Sequence, residues 1–353
     1  MSLDRIDARR IAIIKPSALG DIVHSLPVLT ALRTRFPTAS ITWVVNSAYE
    51  SLLTGHPDLT DTLPFDRGAM KGVRAIGAAW SFASELRRRR FDLVIDMQGL
   101  LRSGLMAWGS GAPRRVGFRN AREGSRYTYT HKLASPAFGA AHAVERMWAV
   151  AEAFGVGHLP KVFRVPLQPS EVDAARNALA ALPRPWVAVA VGAKWLTKRW
   201  PATHFAELLG RSQSRFGGSC VFIGTGDDTA LSQQVIANLR GPALDLTGKT
   251  SLPRLAATLS LVDVMVGNDT GPLHLAAALG RPGVAPYTCT RVALHGPYLQ
   301  ASSCVETTVA CGGSYLKKCG NMICMPELTP DRLWPKLAET LDAWQRTHSS
   351  RSA

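Results

Sequence analysis

Four short stretches of this 353-residue chain gather residue types able to bind an anion or move a proton. The first is KPSALGDIVH, with Lys15, Ser17, Gly20, Asp21 and His24. Gly20 lets another group approach the backbone closely. Asp21 falls where a helix begins, and a helix N-terminus stabilises a carboxylate. It reads as a helix cap or as a base. The spacing fits neither GxxxxGK[ST] nor GxGxxG, so neither a Walker-type ATPase nor a dinucleotide redox site is supported.

The second stretch is GNDTGPLHLAAALG. Asp269 and Thr270 precede a helix whose first turn holds Gly271, and the free amides of such a turn suit a pyrophosphate. Asp269 can accept from sugar or ribose hydroxyls, and His274 lies one turn on. The plainer alternative makes Asp269 or Thr270 a cap and His274 a core residue. The third stretch, GAKWLTKRW, offers Lys194, Lys198 and Arg199 to a diphosphate leaving group, or is a surface charge cluster. The fourth pairs DMQGLLRSG, with Arg102, and FRNAREGSR, with Arg119, Arg122 and Arg126. Arginine matches carboxylate and phosphate bidentately, which points to an anionic ligand.

These stretches need elements to hold them. Apolar runs predict strands over 11–15, 41–45, 61–65, 114–118, 186–192, 220–224, 243–248 and 262–268, with a further strand in FDLVIDMQG. Helical spacing follows several of them, from about Asp21, over 75–90, after Pro201, over 271–280 and over 330–346. Strands alternating with helices imply mostly parallel sheets. Prolines 160, 166, 169, 183 and 185 interrupt the alternation, which places a linker near 160–175. The expectation is therefore α/β, with two doubly wound Rossmann-like domains, 1–165 and 175–353, facing a central cleft. The last helix is expected to pack back toward the N-terminal domain. Ligands of open parallel sheets lie outside the carboxyl ends of the strands, where all four stretches fall.

Apolar residues make up 46% and charged residues 19%, which excludes a largely disordered chain. The net charge of +15 asks for a polyanionic partner. Nucleic acid is disfavoured, because no aromatic residues interleave the basic ones in a recognisable module. No apolar run approaches the length of a membrane span, and the N-terminus lacks a signal-peptide core. A cytoplasmic protein, peripheral on the inner-membrane face through Arg87–Arg90, is expected.

In order, the blocks KPSALGDIVHSLPVLTAL, DMQGLLRSG, NAREGSR, HAVERMWAVAEAFG, TKRWP and GNDTGPLHLAAALG resemble glycosyltransferase family 9, the ADP-heptose heptosyltransferases. The resemblance covers 11–346, and DxQGLLRS with NAREGSR is similar to the heptosyltransferase I branch. It implies a GT-B fold and an inverting, metal-independent transfer of heptose from ADP-heptose to a Kdo-lipid A type acceptor in the lipopolysaccharide inner core, with no cofactor. Asp21 would be the general base. Lys198 would bind the donor phosphates, with Gly192, Ala193, Thr197, Asp228, Asp269, Thr270, Gly271 and His274 completing the donor site. Ser17, Arg102 and Arg122 would contact the acceptor. Gly192 and Ala193 stand where that branch often has serine or threonine. Other readings are a family 9 enzyme with a different donor or with a protein or other glycan as acceptor, a two-Rossmann nucleotide-sugar epimerase, and a non-catalytic nucleotide-sugar binder.

Four of the six cysteines cluster as Cys304, Cys311, Cys319 and Cys324, spaced C-x6-C-x7-C-x4-C without a CxxC knuckle. They read as free thiols, a disulfide or a structural metal site. The expectation is no metal. Many family 9 members carry a related segment, and Ser314 stands where one of its cysteines is expected.

Overall fold

The computed structural model describes residues 3–66, 68 and 75–349. The chain divides into two compact units, Met1–Pro166 and Leu167–Ala353. In the first, the elements run β1 (Arg10–Ile14), α1 (Leu19–Arg35), β2 (Ser40–Asn46), α2 (Ser47–Leu53), β3 (Asp61–Phe65), α3 (Ala75–Arg88), β4 (Leu93–Asp96), α4 (Leu101–Gly109), β5 (Arg114–Phe118), β6 (His131–Leu133) and α5 (Ala143–Ala153). In the second they run α6 (Pro169–Leu179), β7 (Trp186–Ala190), α7 (Ala202–Phe216), β8 (Ser219–Phe222), α8 (Thr229–Ile236), β9 (Ala243–Asp245), α9 (Leu252–Leu261), β10 (Val264–Gly267), α10 (Gly271–Ala278), β11 (Gly283–Tyr287), α11 (Val292–His295), β12 (Cys304–Glu306), α12 (Cys324–Glu327) and α13 (Pro330–Ser349).

Each unit holds one six-stranded sheet, and every pair of neighbouring strands is parallel. The orders are β3-β2-β1-β4-β5-β6 and β12-β11-β10-β7-β8-β9. Read from its own first strand, each is the doubly wound order 3-2-1-4-5-6, with the direction of winding reversing between the first and fourth strands. Those reversal points are β1/β4 and β7/β10.

The buried runs explain the strands. Ile11–Ile14, Trp43–Val45 and Leu93–Ile95 are fully buried, as a sheet covered on both faces demands. One face of the first sheet carries Ala12, Ile14 and Val94 beneath Leu86 of α3 and Met106 and Ala107 of α4. In the second unit, Leu333, Leu337 and Leu341 recur along one side of α13 and enter the core formed with Phe205, Leu208 and Leu209 of α7. Within its own unit α13 therefore lies against α7, β11 and β12.

Two differences from the sequence reading have physical causes. The stretch expected as linker, 160–175, contains the start of α6. Pro169 opens that helix rather than interrupting it, because a first-turn proline lacks only an amide that has no partner there. Helix α6 packs on α9 and belongs to the second unit. Strands β6, β11 and β12 carry no strong apolar alternation; β11 is GVAPY, buried at every position although it contains Gly and Pro. No helix among the described residues is long and apolar enough to cross a membrane.

Phe205 is fully buried and meets Trp200 edge-on at 4.9 Å. Phe205→Ala is expected to destabilise the chain by about 3–5 kcal/mol. Urea unfolding should show this as a lower midpoint with an unchanged slope.

Candidate active site

At the reversal point of the first sheet, β1 runs into Lys15 and β4 into Gln98. Lys15 is buried, and its ammonium donates to the Met97 carbonyl at 3.3 Å. It also stands 3.9 Å from Asp21 Oδ1. The other oxygen of Asp21 accepts from the Ala18 amide at 3.2 Å, so this carboxylate caps α1. Its side chain nevertheless stays 50% exposed. Asp21 is thus both a cap and an accessible carboxylate beside a cation. His24, one turn further, is buried edge-on to His142 at 5.3 Å.

A pocket of ≈ 240 Å³ opens beside this loop, lined by Ser17, Asn46, Gln98, Arg102, Ser103 and Glu123 among others. Its wall is built by the two arginine-bearing motifs together. The Arg122 amide donates to the Gly99 carbonyl at 2.9 Å, and the Leu101 amide to Glu123 Oε2 at 3.2 Å. Gly104 makes this packing possible: a Cβ there would stand 2.8 Å from Thr128 Oγ1 and 2.9 Å from Ser125 Cβ. Ser17 and Arg102 line the pocket; the exposed Arg122 joins the same wall through its backbone.

The loop after β4 hangs on Asp96, a residue the sequence reading passed over. Asp96 is fully buried and accepts from the Gln98 and Gly99 amides at 2.8 and 3.1 Å and from the Tyr129 hydroxyl at 2.6 Å. Burial pushes its pKa up, and these donors pull against that rise. Tyr129 reaches Asp96 across Gly117, where a Cβ would stand 2.3 Å from the ring.

At the reversal point of the second sheet the loops after β7 and β10 meet. Asn268, fully buried, ties them: its amide donates to the Val191 carbonyl at 2.8 Å, and its oxygen accepts from the Trp200 amide at 3.1 Å. The centre is Asp269. Its Oδ2 accepts from Lys198 Nζ at 2.5 Å and from the Thr290 hydroxyl at 2.6 Å. Its Oδ1 accepts from the Tyr287 hydroxyl and stands against His274 Nε2, both at 3.3 Å. Burial works to raise its pKa, but the His274 hydrogen bond and the Lys198 charge outweigh it and hold the carboxyl well below the usual range. Both oxygens are occupied, so Asp269 acts on this loop by fixing Lys198.

The remaining residues expected at the donor site lie on the segments that follow β7, β8 and β10. Thr270 is the N-cap residue of α10, but its hydroxyl donates to the Asn268 carbonyl, leaving the first-turn amides around Gly271 uncapped by that side chain. Gly192 packs against Asp228: a Cβ would stand 1.9 Å from Asp228 Oδ1. Asp228 in turn accepts from the Thr225 amide and hydroxyl at 2.9 and 2.8 Å. Ala193 is buried and its carbonyl accepts from Arg199 Nε at 2.6 Å. Thr197 is buried too; its hydroxyl donates to the Leu316 carbonyl at 2.6 Å, so its side chain holds the cysteine-bearing insert. Lys194 is exposed. The cysteines are free thiols, and among the described residues no group of three His, Cys, Asp or Glu is placed to hold a metal ion.

The family model for glycosyltransferase family 9 (heptosyltransferase) matches residues 79–321. The chain belongs to glycosyltransferase family 9. This glycosyltransferase is 28% identical over 323 residues to lipopolysaccharide heptosyltransferase 1 of Pseudomonas aeruginosa, covering 88% of the chain and 87% of that relative. Its fold matches the structure of E. coli ADP-heptose lipopolysaccharide heptosyltransferase II, with a TM-score of 0.75 at 25% identity over 95% of this chain and 99% of that one. It also matches E. coli heptosyltransferase WaaC with ADP, with a TM-score of 0.72 at 23% identity over 94% and 99%. The two α/β units of this family 9 enzyme therefore have the GT-B fold of those structures.

The Asp269 pair yields a test. Its folded pKa lies below the unfolded value of about 3.9. The stabilisation is then complete above that value and is lost as pH falls through the folded pKa. Asp269→Asn leaves the half-buried Lys198 without its countercharge and is expected to cost about 3 kcal/mol at pH 7. In urea unfolding, the gap to the wild type should narrow as pH is lowered from about 5 to 3. A gap independent of pH would show that the charge of Asp269 is not what stabilises.

Proposed function

We propose that this enzyme transfers a heptose from ADP-heptose to an anionic, Kdo-lipid A type acceptor during assembly of the lipopolysaccharide inner core. The observation that carries the reading is the contrast between the two reversal-point loops. One presents an accessible carboxylate, Asp21, beside an arginine-lined pocket. The other presents a cation, Lys198, beside the amino end of α10. The relative solved with ADP and the relatives named as lipopolysaccharide heptosyltransferases support the choice of donor and acceptor.

The reaction is a single displacement. Asp21 takes the proton of the acceptor hydroxyl while that oxygen attacks the anomeric carbon from the side opposite ADP. The new C–O bond forms as the bond to the diphosphate oxygen breaks, and the configuration inverts. The departing diphosphate gains negative charge, which Lys198 and the α10 amides, with Gly271 in the first turn, stabilise without a metal. His274 and Asp269 act behind Lys198, while Gly192 and Asp228 shape the floor on which the donor rests. Arg102 and Arg122 hold the acceptor anion, and Ser17 lines the approach. The work takes place at the cytoplasmic face of the inner membrane.

Asp21→Ala should lower kcat by about 10²–10⁴-fold. ADP affinity by calorimetry should be unchanged. Full transfer by this variant would exclude Asp21 as base. Arg102→Ala should raise the KM for the acceptor about tenfold, as loss of one charge-assisted contact implies. Mass spectrometry with ADP-heptose, GDP-mannose and UDP-sugars against a Kdo-lipid acceptor tests the donor. Interconversion of the sugar nucleotide without acceptor would point to an epimerase instead.

A further inference from the structure

Helices α3 and α4 cover one face of the first sheet, and their outer sides are unusual. Both bury apolar residues inward, through Phe82 and Leu86 on α3 and Met106 and Ala107 on α4. Both also carry apolar residues outward. On α3, Ile76 and Trp80, one turn apart, are each 73% exposed. On α4, Leu101, Leu105 and Trp108 recur at i, i+4 and i+7 and are 44%, 52% and 60% exposed. The two helices touch, with Gly109 on α4 facing Ala83 on α3. Single exposed apolar residues need no explanation, but two touching helices that together expose several large ones do.

Positive charge borders this face. Arg87 and Arg90, at the end of α3, open with Arg10 onto a hollow of ≈ 680 Å³. Among the described residues, neither Arg87 nor Arg90 is in an ion pair; Arg88 and Arg89 pair with Glu85, and Arg89 with Asp61. At the other end of α4, Leu101 is followed by Arg102, which lines the acceptor pocket. One short helix thus runs from that pocket along the apolar face toward the arginine-lined hollow.

We infer that the outer face of α3 and α4 docks this enzyme on an anionic lipid bilayer, with Trp80, Leu105 and Trp108 entering the interface and Arg87 and Arg90 meeting lipid phosphates. Tryptophan favours the headgroup level, where its ring is half in apolar surroundings. An apolar stripe bordered by arginine is the pattern of interfacial helices. A second copy of the chain is the poorer occupant, because a two-fold contact on this face would bring the arginine clusters of two +15 chains together. The inference extends the reading above, in which the acceptor is lipid-linked, and puts the pocket holding Arg102 at the edge of the docked face.

Vesicle flotation of the full chain tests it without donor or acceptor. The wild type should float with phosphatidylcholine vesicles containing about 30% phosphatidylglycerol and far less with phosphatidylcholine alone. Trp80→Ser/Trp108→Ser should cut flotation about tenfold, the loss of two interfacial anchors. Arg87→Gln/Arg90→Gln should remove the preference for the anionic vesicles. Transfer to a delipidated, water-soluble acceptor should be unchanged in both variants, which also reports that they fold. A wild type that does not float, or a Trp80→Ser/Trp108→Ser variant that floats equally well, overturns the docking face and leaves the transferase reading intact. Light scattering showing a wild-type dimer that the tryptophan variant dissolves overturns it in favour of self-association. Flotation as expected with no transfer from any donor would instead remove the transferase reading and keep the docking face.

Discussion

Where a parallel sheet reverses its direction of winding, the chains leaving two adjacent strands turn to opposite faces. Nothing then covers the gap above the strand ends, and the backbone groups and side chains that border it are free to face a ligand. Both sheets of this protein obey that constraint at β1/β4 and β7/β10. The residues of chemical interest are not scattered over the surface: Lys15, Asp21 and Gln98 border one gap, and Lys198, Asp269 and Thr270 border the other. The close glycine contacts and the hydrogen bonds to Asp96, Asn268 and Asp269 hold those loops in place.

Each gap is fastened by one buried aspartate, and the two work differently. Asp96 is satisfied by neutral donors, two amides and the Tyr129 hydroxyl. It braces a loop. Asp269 is satisfied in part by a cation and braces a charge. Burial raises the pKa of the first, while specific partners depress that of the second below its ordinary range. The same residue type near equivalent strand ends therefore braces a pocket wall in one unit and orients an ammonium group in the other.

The parallel architecture was legible in the sequence because most central strands are uninterrupted apolar runs. The motifs were legible because loops at strand ends concentrate glycine, charge and helix-starting residues. What stayed hidden depends on distance along the chain. Tyr129 lies 33 residues from Asp96, and Tyr287 and Thr290 lie 18 and 21 residues from Asp269. No local pattern announces those pairs. Thr197, which the family resemblance puts among the donor contacts, sends its hydroxyl to Leu316, 119 residues away. The outward residues of α4 were equally hidden, since LRSGLMAWG is apolar nearly all round and periodicity alone assigns such a helix to the interior.

The Lys198–Asp269 pair also changes what kind of event anion binding is. Before any ligand arrives, the ammonium group is already half of a neutral couple. An incoming anion does not meet a bare cation; it competes for one, as in an ion exchanger. The pair itself adds little long-range attraction, because paired opposite charges cancel beyond a few ångströms. In the proposed reaction, a small anion that offers charge alone has to displace Asp269 unaided. A ligand long enough to engage the α10 amides as well as Lys198 has a second hold that the exchange does not cancel. In the proposed reaction, selectivity for the diphosphate then comes from reach and shape.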